Sequence, residues 1–396
     1  MRTEKTVIAD EHVRQAYRRG RHYIEILPGD IVTAQARDTA DRLKIGLREG
    51  PLERPVVVRT DSATAMRRIL FRRHPGWAPP RQNVFGEAAK IPHLALVGAG
   101  GVGMNIAHIA ANNDIAEEIA LIDVIPGAAE AIALDLTHSS GINRLDTRFT
   151  GGSSMSLLAD ADVIVVTAGR PRTPGMTRSD LLSINGRMVR SIGQSIANLA
   201  PNAVVIVVSN PLDEMTYMML QSTGFSRDRV LGMAGTLDSA RFRAALAEAC
   251  GVSVADVEGI TLGSHGDEMV PIVSRSKVRG RSLDVMLSEA EIATCVQKTV
   301  NGGAAVVALK KTGSATLAPA QATIELIDHI RGARVGAVPT SVYLKGEFGI
   351  SDTVIGVPGV LGKNGVIEIR ELTLPEDELS ALQQAAALVK ARLEAS

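Results

Sequence analysis

At 396 residues the chain is too long for one simple core, and two or three domains are expected. Its 45% apolar content and mean hydropathy of +0.11 are those of an ordinary globular protein, and no apolar run reaches membrane-spanning length. The formal charge is zero, but residues 1–90 hold 18 Lys/Arg against 11 Asp/Glu, a net of +7, so the remainder carries −7 and the first ninety residues read as a separate piece.

That N-terminal piece predicts short helix and strand units. Asp10 can cap a helix through about Arg19, with Val13, Ala16 and Tyr17 on one face. Tyr23-Ile24-Glu25-Ile26-Leu27 alternates like a strand, and Pro28-Gly29-Asp30 marks a turn. Thr33 can cap a second helix through Lys44, with Gly46 as its left-handed stop. Val56-Val57-Val58 predicts a further strand, and Asp61 or Ser62 opens a basic helix carrying Arg67, Arg68, Arg72 and Arg73. His74-Pro75-Gly76-Trp77-Ala78-Pro79-Pro80 breaks that helix, which gives a folded module over 1–80 and a linker over 81–90.

From about Lys90 the pattern changes. Apolar runs at 94–97, 119–122, 163–166 and 204–208 read as strands with helical stretches between them. Continuous apolar strands alternating with helices predict a parallel sheet covered on both faces. The first run leads into Gly98-Ala99-Gly100-Gly101-Val102-Gly103 and then a helix from Met104. In this spacing Gly98 permits a tight turn, Gly100 lets backbone approach a pyrophosphate, and Gly103 lets the helix pack closely on the strand. The helix N-terminus adds unpaired amides and a partial positive charge. Asp123 ends the next strand about 20 residues on, where its carboxylate can accept from adenosine ribose hydroxyls and repel a 2′-phosphate, favouring NAD over NADP.

Arg172 and Arg178 lie on one Pro/Gly loop, Ala168-Gly169-Arg170-Pro171-Arg172-Thr173-Pro174-Gly175-Met176-Thr177-Arg178. Two guanidiniums at that spacing can hold a small molecule with two carboxylates, one planar oxyanion per fork; a basic surface loop is the alternative. Asn210 follows Val207-Val208-Ser209 at a strand's carboxyl end, where such sheets bind ligands. Asp238 and Arg241, three apart, share a helix face, as a reactive pair or as a surface ion pair. His265 stands in Gly263-Ser264-His265-Gly266-Asp267, either as a functional imidazole or as exposed loop. Neither Cys250 nor Cys295 has metal or redox spacing, which predicts a reducing compartment. With no signal-type apolar stretch, and with Glu4, Asp10 and Glu11 at odds with a transit peptide, a cytoplasmic location is expected.

From about Ile91 onward the chain resembles the lactate/malate dehydrogenase family, in its lactate-dehydrogenase-like malate dehydrogenase branch. The resemblance rests on the glycine loop, Pro171-Arg172-Thr173-Pro174-Gly175-Met176 through Arg178, and Val208-Ser209-Asn210-Pro211. It rests also on residues 233–242, on residues 263–267, and on Gly356-Val357-Pro358. It implies a Rossmann doubly wound parallel sheet over 91–235 plus an α+β catalytic domain over 236–396, with the small N-terminal α/β extension added. It further implies NAD as cofactor, no metal, a dicarboxylate substrate and a homo-oligomer, tetramer or dimer. His265 is then the proton donor and acceptor, oriented by Asp238; Arg241 holds the near carboxylate and Arg178 polarises the carbonyl. Asn210 touches substrate and cofactor. Arg172 takes the specificity position, where lactate dehydrogenases have Gln. Cofactor contacts fall on Gly98, Gly100, Gly101, Val102, Gly103, Met104, Asp123, Asn185, Val208 and Ser209. His138 is read as structural.

Other readings are a lactate or other 2-hydroxy acid dehydrogenase and a catalytically silent NAD-binding protein. Within the extension, Pro28-Gly29-Asp30-Ile31-Val32-Thr33 and Ala36-Arg37-Asp38 resemble short stretches of bacterial microcompartment accessory proteins. The plainer reading is a module packed on the enzyme body, its own or a neighbour's, through Tyr17, Tyr23, Ile24 and Trp77. The basic helix carries few aromatics and no nucleic-acid motif, so no nucleic acid is expected and a solvated basic face is. No membrane association is expected.

Overall fold

The computed structural model describes residues 6–26, 30–49, 88–170, 178–311 and 313–395. The expected strand over 56–58, the basic helix and the linker lie outside those residues.

At the N-terminus, β1 (Val7–Ile8) leads into α1 (Asp10–Arg18) and β2 (Tyr23–Ile26). Then follow β3 (Ile31–Val32), α2 (Ala34–Leu43) and β4 (Gly46–Glu49). The strands pair in parallel, β1 with β3 and β2 with β4. Val13, Ala36, Ala40, Leu43 and Ile45 close a small core between the two helices. Thr33 caps α2, its side chain accepting from the Ala36 N–H. Two boundaries differ from expectation. The cap of α1 is Ala9, because the Asp10 carboxylate is committed to Arg14 and Thr39. α2 stops at Lys44, itself left-handed at φ 54°, and Gly46 opens β4 instead.

Arg18, on the last turn of α1, reaches across to residues beyond 235. Its guanidinium donates to the Met286 and Ala249 carbonyls at 3.0 Å each, and to both carboxylate oxygens of Glu291 at 2.7 Å. Glu291 also closes a capping box with Ser288 at a helix start, and despite a burial penalty these donors hold its carboxyl below the usual range. Tyr17 packs beside the buried cluster of Phe242, Leu246 and Leu283.

The expected parallel sheet is present; the strands at 94–97 and 119–122 each begin three residues earlier than their apolar runs suggested, while those at 163–166 and 204–208 keep their expected positions to within one residue. β5 (Ile91–Val97), β6 (Ala116–Ile122), β7 (Arg148–Gly152), β8 (Val163–Val166), β9 (Val204–Val207) and β10 (Val230–Gly232) stand in the order β7-β6-β5-β8-β9-β10. This is the doubly wound order, whose direction reverses beside β5 and opens a crevice at the strands' carboxyl ends. Leu94, Leu96, Ile119, Leu121, Ile164 and Ile206 are fully buried between the covering helices. Each such side chain contributes about 1.5–3 kcal/mol. The covering helices are α3 (Gly101–Asn112), α4 (Ala128–Asn143), α5 (Arg178–Leu199) and α6 (Leu212–Thr223).

Beyond 235 come α7 (Gly235–Cys250), β11 (Val257–Glu258), β12 (Thr261–Gly263) and β13 (Met269–Pro271). Next are β14 (Lys277–Val278), β15 (Arg281–Ser282), α8 (Leu283–Met286), α9 (Glu289–Val300), α10 (Gly302–Lys310) and α11 (Leu317–Ile330). β16 (Ala337–Lys345), β17 (Ser351–Gly362), β18 (Gly365–Ile369) and α12 (Glu376–Glu394) close the chain's described part. β16 joins β10 antiparallel at Gly232 and Ser341, so one 11-stranded sheet runs through both halves. Both cysteines are buried and free, and burial pushes the Cys250 thiol up to about 11.

Candidate active site

The turn after β5 has the geometry a dinucleotide needs. Gly98 sits at φ +109°, a backbone conformation that side chains rarely take, and the Thr167 hydroxyl at the end of β8 donates to its carbonyl at 3.0 Å. A Cβ on Gly103 would fall 2.0 Å from the Gly98 oxygen, so strand and helix touch backbone to backbone there. At Gly100, by contrast, a Cβ would meet nothing within 4 Å. The protein leaves that space open beside the first amides of α3, which starts at Gly101, three residues earlier than expected. An open edge against unpaired helix amides fits a pyrophosphate. Asp123 directly follows β6, with Oδ2 accepting from the Ala99 N–H at 2.8 Å and Oδ1 from the Ile125 N–H at 3.0 Å. The acid is thus pinned to the glycine loop, with lone pairs left for ribose hydroxyls. Met104 and Val102 follow on α3, with Met104 exposed and Val102 lining the cleft.

A cleft of about 390 Å³ runs from this turn to the residues beyond 235, lined among others by Asn210, Arg241, His265 and Gly303. The surface-pair and exposed-loop alternatives for these residues do not hold. Asp238 is only 2% exposed and bridges an imidazole and a guanidinium: Oδ2 accepts from His265 Nδ1 at 2.8 Å and Oδ1 from Arg241 Nη1 at 2.9 Å. The bridge fixes the proton on Nδ1 and leaves Nε2 without a protein partner among the described residues. Burial disfavours the imidazolium, yet the Asp238 carboxylate outweighs it and raises the His265 pKa above its ordinary value. Gly302 and Gly303, at the start of α10, lie against Arg241; a Cβ on Gly302 would approach its Cδ to 3.0 Å. One Nη of the fork is spent on Asp238, and the rest is left to the cleft it lines.

Asn185, 1% exposed on α5, ties two strand ends together. Its Oδ1 accepts from the Arg170 N–H at 2.8 Å, and its Nδ2 donates to the Asn210 carbonyl at 2.6 Å. The Ser209 hydroxyl donates to the Ala168 carbonyl at 2.5 Å, while Val208 is buried beside it. Arg172 lies outside the described residues; Arg178 opens α5, but its side chain lies outside them too. His138 sits exposed on α4 and does not line the cleft.

Sequence reading missed Asp213. This fully buried carboxylate accepts from the His265 N–H at 2.9 Å, the Ser264 hydroxyl at 2.8 Å and the Ser341 hydroxyl at 2.8 Å, so it holds the histidine loop by its backbone. Burial, reinforced by neighbouring Glu214, pushes its pKa up to about 6 against the pull of those donors. A further clamp comes from α12: Arg392 donates to Glu214 at 2.7 Å and to Glu268 at 2.8 Å, spanning the start of α6 and the histidine loop.

Strand ends open to a dinucleotide, beside a histidine able to carry a proton, are the arrangement of one class of protein, the nucleotide-dependent dehydrogenases. Within it, residues 92–232 match the lactate/malate dehydrogenase NAD binding domain, and residues 235–396 match the lactate/malate dehydrogenase alpha/beta C-terminal domain. The chain is 41% identical over 297 residues to a malate dehydrogenase of Chloroherpeton thalassium, covering 75% of this chain and 96% of that one. The malate dehydrogenase of Aeropyrum pernix superposes with a TM-score of 0.74 at 37% identity, over 76% of this chain and 97% of that one. The lactate dehydrogenase of Cryptosporidium parvum, solved with lactic acid and nicotinamide adenine dinucleotide, gives 0.74 at 32%, over 78% and 98%. The chain belongs to the lactate/malate dehydrogenase family, and its NAD-binding domain is the Rossmann half described above.

Proposed function

We propose that the protein is an NAD-dependent malate dehydrogenase, interconverting (S)-malate and NAD with oxaloacetate and NADH. The observation that carries this reading is the buried Asp238 carboxylate shared by His265 and Arg241 in the cleft that reaches the glycine loop. NAD, when bound, accepts or returns the hydride. The glycine loop and the first turn of α3 hold the pyrophosphate, and Asp123 holds the ribose. In malate oxidation His265 Nε2 takes the hydroxyl proton, and the imidazolium so formed is stabilised by Asp238. Arg241 holds the carboxylate beside the reacting carbon. Arg178 polarises the carbonyl oxygen, and Arg172 pairs with the far carboxylate. Asn210 lies between substrate and cofactor, with Asn185 setting its backbone.

A lactate dehydrogenase stands among the similar structures, so the choice of hydroxy acid rests on Arg172. Losing one partner of a desolvated charge pair costs about 2–5 kcal/mol. Arg172→Gln should therefore lower kcat/KM for oxaloacetate about 30-fold or more and affect pyruvate much less. Steady-state turnover with both keto acids and NADH tests this; a wild-type enzyme faster on pyruvate refutes the assignment. The N-terminal module is read as an accessory docked on its own catalytic body through Arg18 and Tyr17, in a cytoplasmic homo-oligomer.

A further inference from the structure

Where the N-terminal module meets the catalytic half, the two surfaces enclose a cleft of about 450 Å³ that no part of the proposed reaction uses. Its walls are cationic on both sides. Arg21, His22, Arg42 and Lys44 come from the module, and Arg279 and Arg281 from the β14–β15 hairpin of the catalytic half. Among the described residues no aspartate or glutamate lines it. Along its floor Arg18 is fixed by its two carbonyls and Glu291, so that one guanidinium is already neutralised.

The remaining basic side chains are poorly matched. Arg21, His22 and Lys44 make no side-chain hydrogen bond or ion pair with any described residue. Arg42 acts on Asp10, but that carboxylate is already bonded to Arg14 and Thr39. Arg281 stacks on the Tyr17 ring, with its guanidinium carbon 4.6 Å from the ring centre, which leaves its in-plane N–H groups free to donate. Besides Arg18, Arg279 alone among the described cations of the cleft has a carboxylate at ion-pair distance, Asp256 at 3.2 Å, and both are exposed. Concentrating like charge on two facing walls costs free energy unless something anionic sits between them. A polyphosphate carries more charge and more acceptor oxygens than a dicarboxylate and so matches both walls better. Tetrahedral oxyanions take up several guanidinium and ammonium donors at once.

We propose that this cleft is a binding site for a small polyphosphate-type anion, bridging module and catalytic half and separate from the cofactor's pyrophosphate site. Pyrophosphate is the probe. Full-length protein is titrated with it by calorimetry at low ionic strength, with and without saturating NADH, so that binding at the glycine loop is occupied and removed from the signal. One pyrophosphate per chain is expected with NADH present. Replacing either wall, Arg42→Ser with Lys44→Ser or Arg279→Ser with Arg281→Ser, should each weaken it about tenfold or more, ~1.4 kcal/mol. These side chains are exposed, and oxaloacetate turnover should stay within about twofold in both variants, which certifies their folding. Inorganic phosphate should bind more weakly than pyrophosphate. Overturning results are pyrophosphate binding that vanishes when NADH is present, binding unchanged in both double variants, or loss in one wall's variant alone.

Discussion

Asp238→Asn tests the proposed chemistry at its narrowest point. In the wild type one carboxylate accepts two bonds, from His265 Nδ1 at 2.8 Å and from Arg241 at 2.9 Å. An asparagine has a single carbonyl oxygen. Arg241 can only donate, so the oxygen goes to it and the amide NH₂ turns toward His265. Nδ1 must then accept, and the ring proton moves to Nε2, the nitrogen that has to take the hydroxyl proton. The variant also removes the charge that outweighs burial at His265, so the imidazole pKa falls. A lost charge-assisted hydrogen bond is worth about 1.5–3 kcal/mol, or roughly one to two pH units at 1.36 kcal/mol each. The wrong tautomer removes general-base catalysis, a loss of about 100- to 10,000-fold in kcat for malate oxidation. The assay is kcat/KM against pH in both directions, alongside NADH affinity by fluorescence titration. Oxaloacetate reduction needs the imidazolium, so its alkaline limb should move to lower pH while NADH affinity holds. A variant within a few-fold of wild type, with its limbs unmoved, would refute the tautomer reasoning.

Asp213 has a pKa raised from 3.8 to about 6, so its contribution to stability is complete below about pH 4 and is lost as pH rises through 6. In Asp213→Asn the amide oxygen can still accept from Ser264 and the His265 N–H, while its NH₂ donates to the Ser341 hydroxyl; the pH-dependent loss, on the order of 1 kcal/mol between pH 5 and 8, should disappear. Denaturant unfolding at the two pH values reads it, and an equal wild-type-to-variant difference at both would count against the raised carboxyl. Gly103→Ala drives a Cβ to 2.0 Å from the Gly98 oxygen and should abolish NADH binding through distortion of the loop. Gly100→Ala meets no protein atom and should keep full thermal stability while weakening NADH at least about tenfold, ~1.4 kcal/mol; unchanged affinity would place the pyrophosphate elsewhere.

The parallel strands were legible because they are buried on both faces, Leu94 and Leu96 on one side of β5 and Ala95 and Val97 on the other, so burial and sequence pattern coincide. β7 was not, since Arg148-Phe149-Thr150-Gly151-Gly152 has no apolar run, and Pro339 disguised β16. The Asp238–Arg241 pair followed from helical spacing, but its partner His265 is 27 residues away, and only the family resemblance joined them. Asp213 escaped notice for a physical reason: an acid in the first turn of a helix is the ordinary companion of the helix dipole. Its burial under Ser264 and Ser341 depends on strands from far along the chain. The starts of α1 and α3 were misplaced because the N-cap residues Ala9 and Gly100 supply no side-chain cap, and backbone alone decides there.

The Arg392 clamp sets an order of assembly during synthesis. The ribosome releases the glycine loop first, then Glu214, then the histidine loop, and Arg392 after all of them. Domains fold as units while the chain emerges, so the cofactor half can close early around its own parallel strands. Glu214 and Glu268 must wait for the guanidinium that α12 brings. A nascent chain halted before that helix would therefore have a finished glycine loop and a histidine loop still lacking the Arg392 brace.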